Sequence, residues 1–150
     1  MKYVDGYVIP IPKKNLQIYR RMALKVAELW HKHGALECFE CVGDDLNPKW
    51  AGIKFPRTVK VRPGETVIFS FIVFKSRAHR NRVNAKVMKE FMKDPKFKDK
   101  PMPFDMKRMV YGGFKVLVDA WDFGKSSNKI INFGISSLKD RFIHHQLESG

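Results

Sequence analysis

Strand-like and helical segments follow one another in the order β, α, β, β, α, β, which predicts an α+β fold of the ferredoxin-like, split βαβ type. Two further observations support it. The run "TVIFSFIVF" (66–74) is apolar on both phases of its alternation, as a strand covered on both faces must be. Only two long amphipathic helical stretches are present before residue 120, enough to cover one face of a sheet and leave the other bare. The bare face needs a second apolar surface, and another copy of the same sheet is the simplest one, so a homodimer is expected.

Each element has its own signal. "YVDGYVIPI" (3–11) is rich in β-branched and aromatic residues and ends at prolines that cannot continue a ladder, which marks the first strand. From Lys13 to His33, Leu16, Tyr19, Ala23, Val26, Ala27 and Trp30 recur at helical spacing, and Gly34 stops the helix. "ALECFECVG" (35–43) reads as the second strand. An irregular stretch then leads into "TVKVRPGETVIFSFIVF", read as a short strand, a Pro-Gly turn and a long strand, so an extra hairpin precedes the third main strand. Ser76 is the expected N-cap of the second helix, in which Val83, Val87, Met88 and Phe91 share a side and Pro95 lies beyond the end. "KRMVYGGFKVLVDA" (107–120) is the last strand, where Gly112 and Gly113 point to a bulge or a close backbone approach. The expected domain is therefore 1–120. Residues 121–150 form a C-terminal extension with a possible short helix from Ser137 to Leu147, which docks, exchanges between subunits or moves freely.

Composition narrows the classes. The 150 residues are 44% hydrophobic, with twelve phenylalanines, enough for one well-packed core. No apolar run approaches a membrane span, and "MKYVDGYVIPIPKKN" places Asp5 and two prolines where a signal peptide needs an apolar stretch, so a cytoplasmic protein is expected. The formal charge of +14 attracts nucleic acid, anionic membranes and acidic metabolites alike. Residues 75–100 carry ten Lys and Arg against three acids, a stripe if that window is helical. No helix-turn-helix, zinc finger or RNP-like motif accompanies the charge, which by itself warrants only weak, salt-sensitive, sequence-blind binding.

"YVDGYVIPIP", "HGALECFECVGDD", "FIVFKSRAHRNRVNAKVM" and "MPFDMKRMVYGGFKVLVDA", in this order, closely resemble the YbaA-like family of small bacterial proteins. The resemblance covers about residues 1–120. It implies a dimeric α/β barrel, a ferredoxin-like protomer whose sheet packs on that of a partner, and it supplies no activity. The sequence departs from the family pattern at Cys38, where an aromatic is usual, and at Met106, where glycine is usual.

The candidate chemistry is sparse. Cys38 and Cys41, the two cysteines of the chain, are three apart in a strand and so point to opposite faces; they chelate no common ion and close no ordinary disulfide, and are expected to be buried or half-buried core thiols. No metal site and no cofactor are expected. Glu40 shares its phase with Leu36 and Val42, and Asp44 and Asp45 follow at the strand end. Any of the three is a candidate general base or cation ligand, or a partner for some of the 29 Lys and Arg. His33 closes the first helix and Tyr111 lies in the last strand, completing the catalytic candidates. Arg77, Arg80 and Asn84, at the start of the second helix, suit an anion, as free N–H groups and guanidinium forks both do. Asp105, Lys107 and Arg108 form a possible site wall; alternatively Asp105 holds a turn and Arg108 pairs with Asp44 or Asp45. The leading function is the binding or transformation of a small anionic or aromatic metabolite in a pocket between sheet and helices. Non-specific association with nucleic acid is the alternative.

Overall fold

A computed structural model describes residues 1–120, of which Met1–Val116 form one compact unit. The expected tail helix lies outside the described residues. Four antiparallel strands, β1 (Tyr3–Pro12), β2 (Glu37–Val42), β3 (Glu65–Phe74) and β4 (Val110–Lys115), form one sheet in the order β2-β3-β1-β4. Two 17-residue helices, α1 (Leu16–Lys32) and α3 (Arg77–Lys93), and two one-turn helices, α2 (Phe55–Thr58) and α4 (Pro95–Lys98), complete the unit. This is an α+β, ferredoxin-like fold.

The two long strands pair in the centre, from Tyr3 opposite Phe74 to Pro12 opposite Glu65. The six-residue strands β2 and β4 flank them. Strict alternation gives the sheet two characters. Tyr3, Asp5, Tyr7, Ile9 and Ile11 of β1, with Thr66, Ile68, Ser70, Ile72 and Phe74 of β3, face α1 and α3. Buried Tyr19, Ala23 and Trp30 of α1 and Val83 and Val87 of α3 close over them. The opposite face carries Phe39, Phe69, Phe71, Val73, Val110 and Phe114 and no long helix; only Phe55 of the one-turn α2 meets it, edge-on to Phe69 with centroids 6.3 Å apart. Phe69 is 45% exposed and Phe114 61%, and Phe39 stacks on Phe71 with centroids 5.1 Å apart.

The extra hairpin is corrected by the structure. Residues expected as its short strand run from α2, with Pro56 in its first turn, into Lys60 at φ 51°, a left-handed conformation that no strand accommodates. Gly64, at φ 79°, then turns the chain into β3. The last strand is also shorter than expected. Asp105 accepts a hydrogen bond from the Lys107 N–H at 2.9 Å, so residues 106–108 coil into a 3₁₀ turn before pairing starts. Across Gly112 and Gly113 the register is continuous, without a bulge; a Cβ on Gly113 would collide with the Tyr3 hydroxyl, so close approach is the reason for that glycine.

Ser76 caps α3 as its sequence position implies, its Oγ accepting from the His79 N–H at 3.1 Å. The helices are tied by Trp30, which donates from Nε1 to Asn84 Oδ1 at 2.9 Å, and by Glu90, which meets Lys32 at 2.8 Å and His33 at 2.7 Å. Among the described residues no helix is long and apolar enough to cross a membrane.

Candidate functional site

Two core clusters lie beneath the helices, one built on Ile9, Ile11 and Ile68 and the other on Ile72, Phe74 and Val83, and Tyr7 packs against both. Between them is a pocket of about 550 Å³. It exists because the residues that meet there are small: Ala23 on α1, Cys38 on β2 and Ser70 on β3 leave a gap that their larger neighbours bridge. The connector from α4 to β4 forms the outer wall. It is held by Asn15 Nδ2, which donates to the Pro103 carbonyl at 2.8 Å, and by Phe104 and Phe97, edge-on to Tyr19 and Phe91. Six of the seven methionines, Met22, Met88, Met92, Met102, Met106 and Met109, line the pocket, all but Met1. Unbranched thioethers adapt to irregular shapes, so this wall suits an apolar guest without fixing its outline.

One carboxylate interrupts the apolar lining. Glu40 faces the helices from edge strand β2, opposite Ser70, and stays open to solvent while protein crowds it. Tyr19 donates to its Oε2 at 2.5 Å, and the Ser70 hydroxyl bonds it as well. The crowding raises its pKa above the ordinary carboxylate value, and the two hydrogen bonds pull it back only in part. Burial also raises the Tyr19 and Tyr7 phenols, each with Glu40 as a further contributor, and pushes the Cys38 thiol up to about 11. Beside Glu40, then, the phenols of Tyr7 and Tyr19 and the thiol of Cys38 are neutral at pH 7.

Behind the pocket lies a buried ionic pair. Asp5 has no exposed surface, and its Oδ1 is 3.6 Å from Arg80 Nε, while Oδ2 accepts from Asn84 Nδ2 at 3.0 Å. Arg80 also donates to the hydroxyls of Tyr3 and Tyr111, each at 3.2 Å, with its guanidinium 4.9 Å from the centre of the Tyr3 ring. The Asn84 bond to Trp30 joins this network to the pocket wall. Asp5, Tyr19 and Ser70 were not among the sequence candidates. The signal for Asp5 was present: an acid on the Tyr3, Tyr7, Ile9 phase of a strand must be buried, and must therefore be partnered.

Of the sequence candidates, Glu40 and Asn84 line the pocket. Arg80 turns inward to Asp5, and Tyr111 stands beside it on β4, against Tyr7 with centroids 4.9 Å apart, outside the lining. His33 is engaged by Glu90, and Asp44 and Asp45 are exposed beyond β2. Arg77 and Lys107 are exposed, and Asp105 serves the 3₁₀ turn. Arg108 meets Glu65 through two bonds of 2.7 and 2.9 Å rather than Asp44 or Asp45, because the turn at 106–108 brings it to the start of β3. Cys38 is half-buried on the helix side, and Cys41 is exposed on the other face; the expectation of a core thiol fails for Cys41 because it lies on an edge strand with no long helix over that face. Among the described residues no group of three His, Cys, Asp or Glu side chains is placed to hold a metal ion.

A family model described as "Protein of unknown function (DUF1428)" matches residues 2–106. The chain belongs to this family. The DUF1428 segment contains β1 to α4 and every pocket residue except Met109. Uncharacterized protein YbaA of Escherichia coli K12 is 41% identical over 121 residues, which span 79% of this chain and 99% of YbaA, and YbaA of Shigella flexneri gives the same figures. Among solved structures, a dimeric ferredoxin-like protein from an uncultured marine organism superposes with a TM-score of 0.52 at 12% identity, covering 79% of this chain and 97% of its own, a likeness of fold.

Proposed function

We propose that this protein binds a small apolar or aromatic molecule in the pocket between its sheet and helices. The observation that carries the proposal is the 550 Å³ space, large enough for a drug-sized guest, with six methionines, Trp30 and Phe104 around it and one carboxylate, Glu40, within it. Of the two ligand classes expected from sequence, this lining favours the aromatic one. Arg80 and Arg108, the best anion-binding candidates, are occupied by Asp5 and Glu65. Glu40, raised in pKa and reachable from the pocket, is the group placed to exchange a proton with a guest. A thermal-shift screen in high salt against neutral aromatic compounds tests the reading. A guest present at about 100 times its Kd stabilises by about 2.7 kcal/mol, a readily visible shift. Absence of any shift across such a screen contradicts it.

The sheet face away from the two long helices supports a homodimer, since Phe39, Phe69, Val110 and Phe114 leave an exposed apolar surface that a second sheet would cover. The fold relative from a marine organism is itself described as dimeric. Free thiols at Cys38 and Cys41 suit the reducing cytoplasm.

One observation favours the nucleic-acid reading: Arg82, Lys86, Lys89 and Lys93 form an exposed basic stripe along α3. Stabilisation by a short RNA or DNA duplex, confined to low salt and without any small-molecule shift, is the result that reading requires.

A further inference from the structure

We propose that the guest of this pocket is an apolar amine, its ammonium on Glu40 and its body among the methionines and aromatic rings. This rests on the pocket reading above and adds the polarity of the ligand.

The first argument is a contrast among the acids. Asp5 is paired with Arg80, Glu65 with Arg108, and Glu90 with Lys32. Glu40, the one acid on the pocket wall, has no ion pair from a described residue, in a chain with 29 Lys and Arg. Tyr19 and Ser70 hydrogen-bond it, and a carboxylate has about four acceptor sites, so capacity remains for a donor from the guest. A crowded carboxylate without a cation is a site for one.

The second argument is the surroundings. Tyr7 and Tyr19 lie beside Glu40 and Trp30 lines the same pocket, and cations are attracted to aromatic rings when partly desolvated. The basic residue in the lining is Lys98, an exposed side chain at the end of α4, so an anionic guest would gain one solvent-exposed ammonium and face Glu40. The overall charge of +14 concentrates anions at the surface, and a preference for cations must therefore come from the pocket itself.

Calorimetric titration of the full chain with 4-phenylbutylamine, 4-phenylbutanol and 4-phenylbutyrate, alike except in the head group, tests this. The amine should bind roughly tenfold or more tighter than the acid, the worth of one charge-assisted hydrogen bond, with the alcohol between them. Glu40→Gln should erase most of that gap by weakening the amine relative to the acid. Should E40Q fail to fold, by circular dichroism, the wild-type chain at falling pH replaces it. The groups facing Glu40 are Tyr19 from α1, Tyr7 from β1, Ser70 from β3 and Cys38 on its own strand, with Lys98 at the end of α4 and uncharged Asn84 from α3 in the same lining. None of these changes charge on acidification below neutrality, so amine affinity should weaken as Glu40 takes up its proton while alcohol affinity holds. Equal binding of all three, tightest binding of the acid, or a gap that survives E40Q overturns the amine assignment while the pocket reading stands. Failure of all three to bind overturns both.

Discussion

Asp5 shows how much rests on one side chain. With Arg80 replaced by Met, the carboxylate is left fully buried with only the uncharged Asn84 and Tyr111 beside it, and breaking such a pair costs about 3–5 kcal/mol. Urea denaturation should show a loss of that order for R80M, and a smaller one for the double variant D5N/R80M, which leaves no charge stranded. Glu40 should behave in the opposite way. Its pKa is higher folded than unfolded, so the folded state holds the proton more tightly, and its contribution to stability falls as pH rises through the ordinary carboxylate range to the raised value. E40Q should therefore be the more stable protein at pH 8 and should lose that advantage at pH 4, below the unfolded value; no difference in urea midpoint at either pH contradicts the account. For the thiols, the order of modification by a disulfide reagent at pH 8 should be Cys41 first and Cys38 much later, because Cys41 is exposed while the Cys38 thiol is held at about 11.

At the scale of elements, the signals visible in sequence were those that act locally. The Ser76 cap, the apolar spacing of α1, the β-branched and aromatic content of β1 and the unbroken apolar run of β3 are written within a few residues of where they operate. S76A should accordingly cost about 1 kcal/mol in thermal or urea unfolding, the worth of one N-cap bond. The stretch before β3 misled because Thr58, Val59 and Val61 have strand propensity, whereas Pro56 and the left-handed Lys60 decide the backbone. The pocket was legible only as a place, between sheet and helices, and in part as Glu40 and Asn84. Its volume depends on Ala23, Cys38 and Ser70 meeting from three elements, and its ionic backing on Asp5 of β1 finding Arg80 of α3; single-sequence spacing records neither. Met88 marks the same limit, since its helical phase places it with the core, and it stands 53% exposed at the pocket.

For the whole molecule, surface charge and the apolar sheet face pull in different directions. Two copies each carrying +14 repel, so a dimer formed through Phe39, Phe69 and Phe114 should tighten as salt screens the repulsion, whereas nucleic-acid binding should weaken. Light scattering across a salt series separates these trends, and F69D should give a monomer if the sheet face is the interface. The central claim concerns the other face of the same sheet. Its most direct test is a methyl spectrum of the protein with ¹³C-labelled methionines, recorded while a neutral aromatic compound is added. The six pocket methionines should shift together and saturate with one affinity while Met1 stays in place. Resonances that do not move, or a uniform drift that includes Met1, would contradict a guest in this pocket.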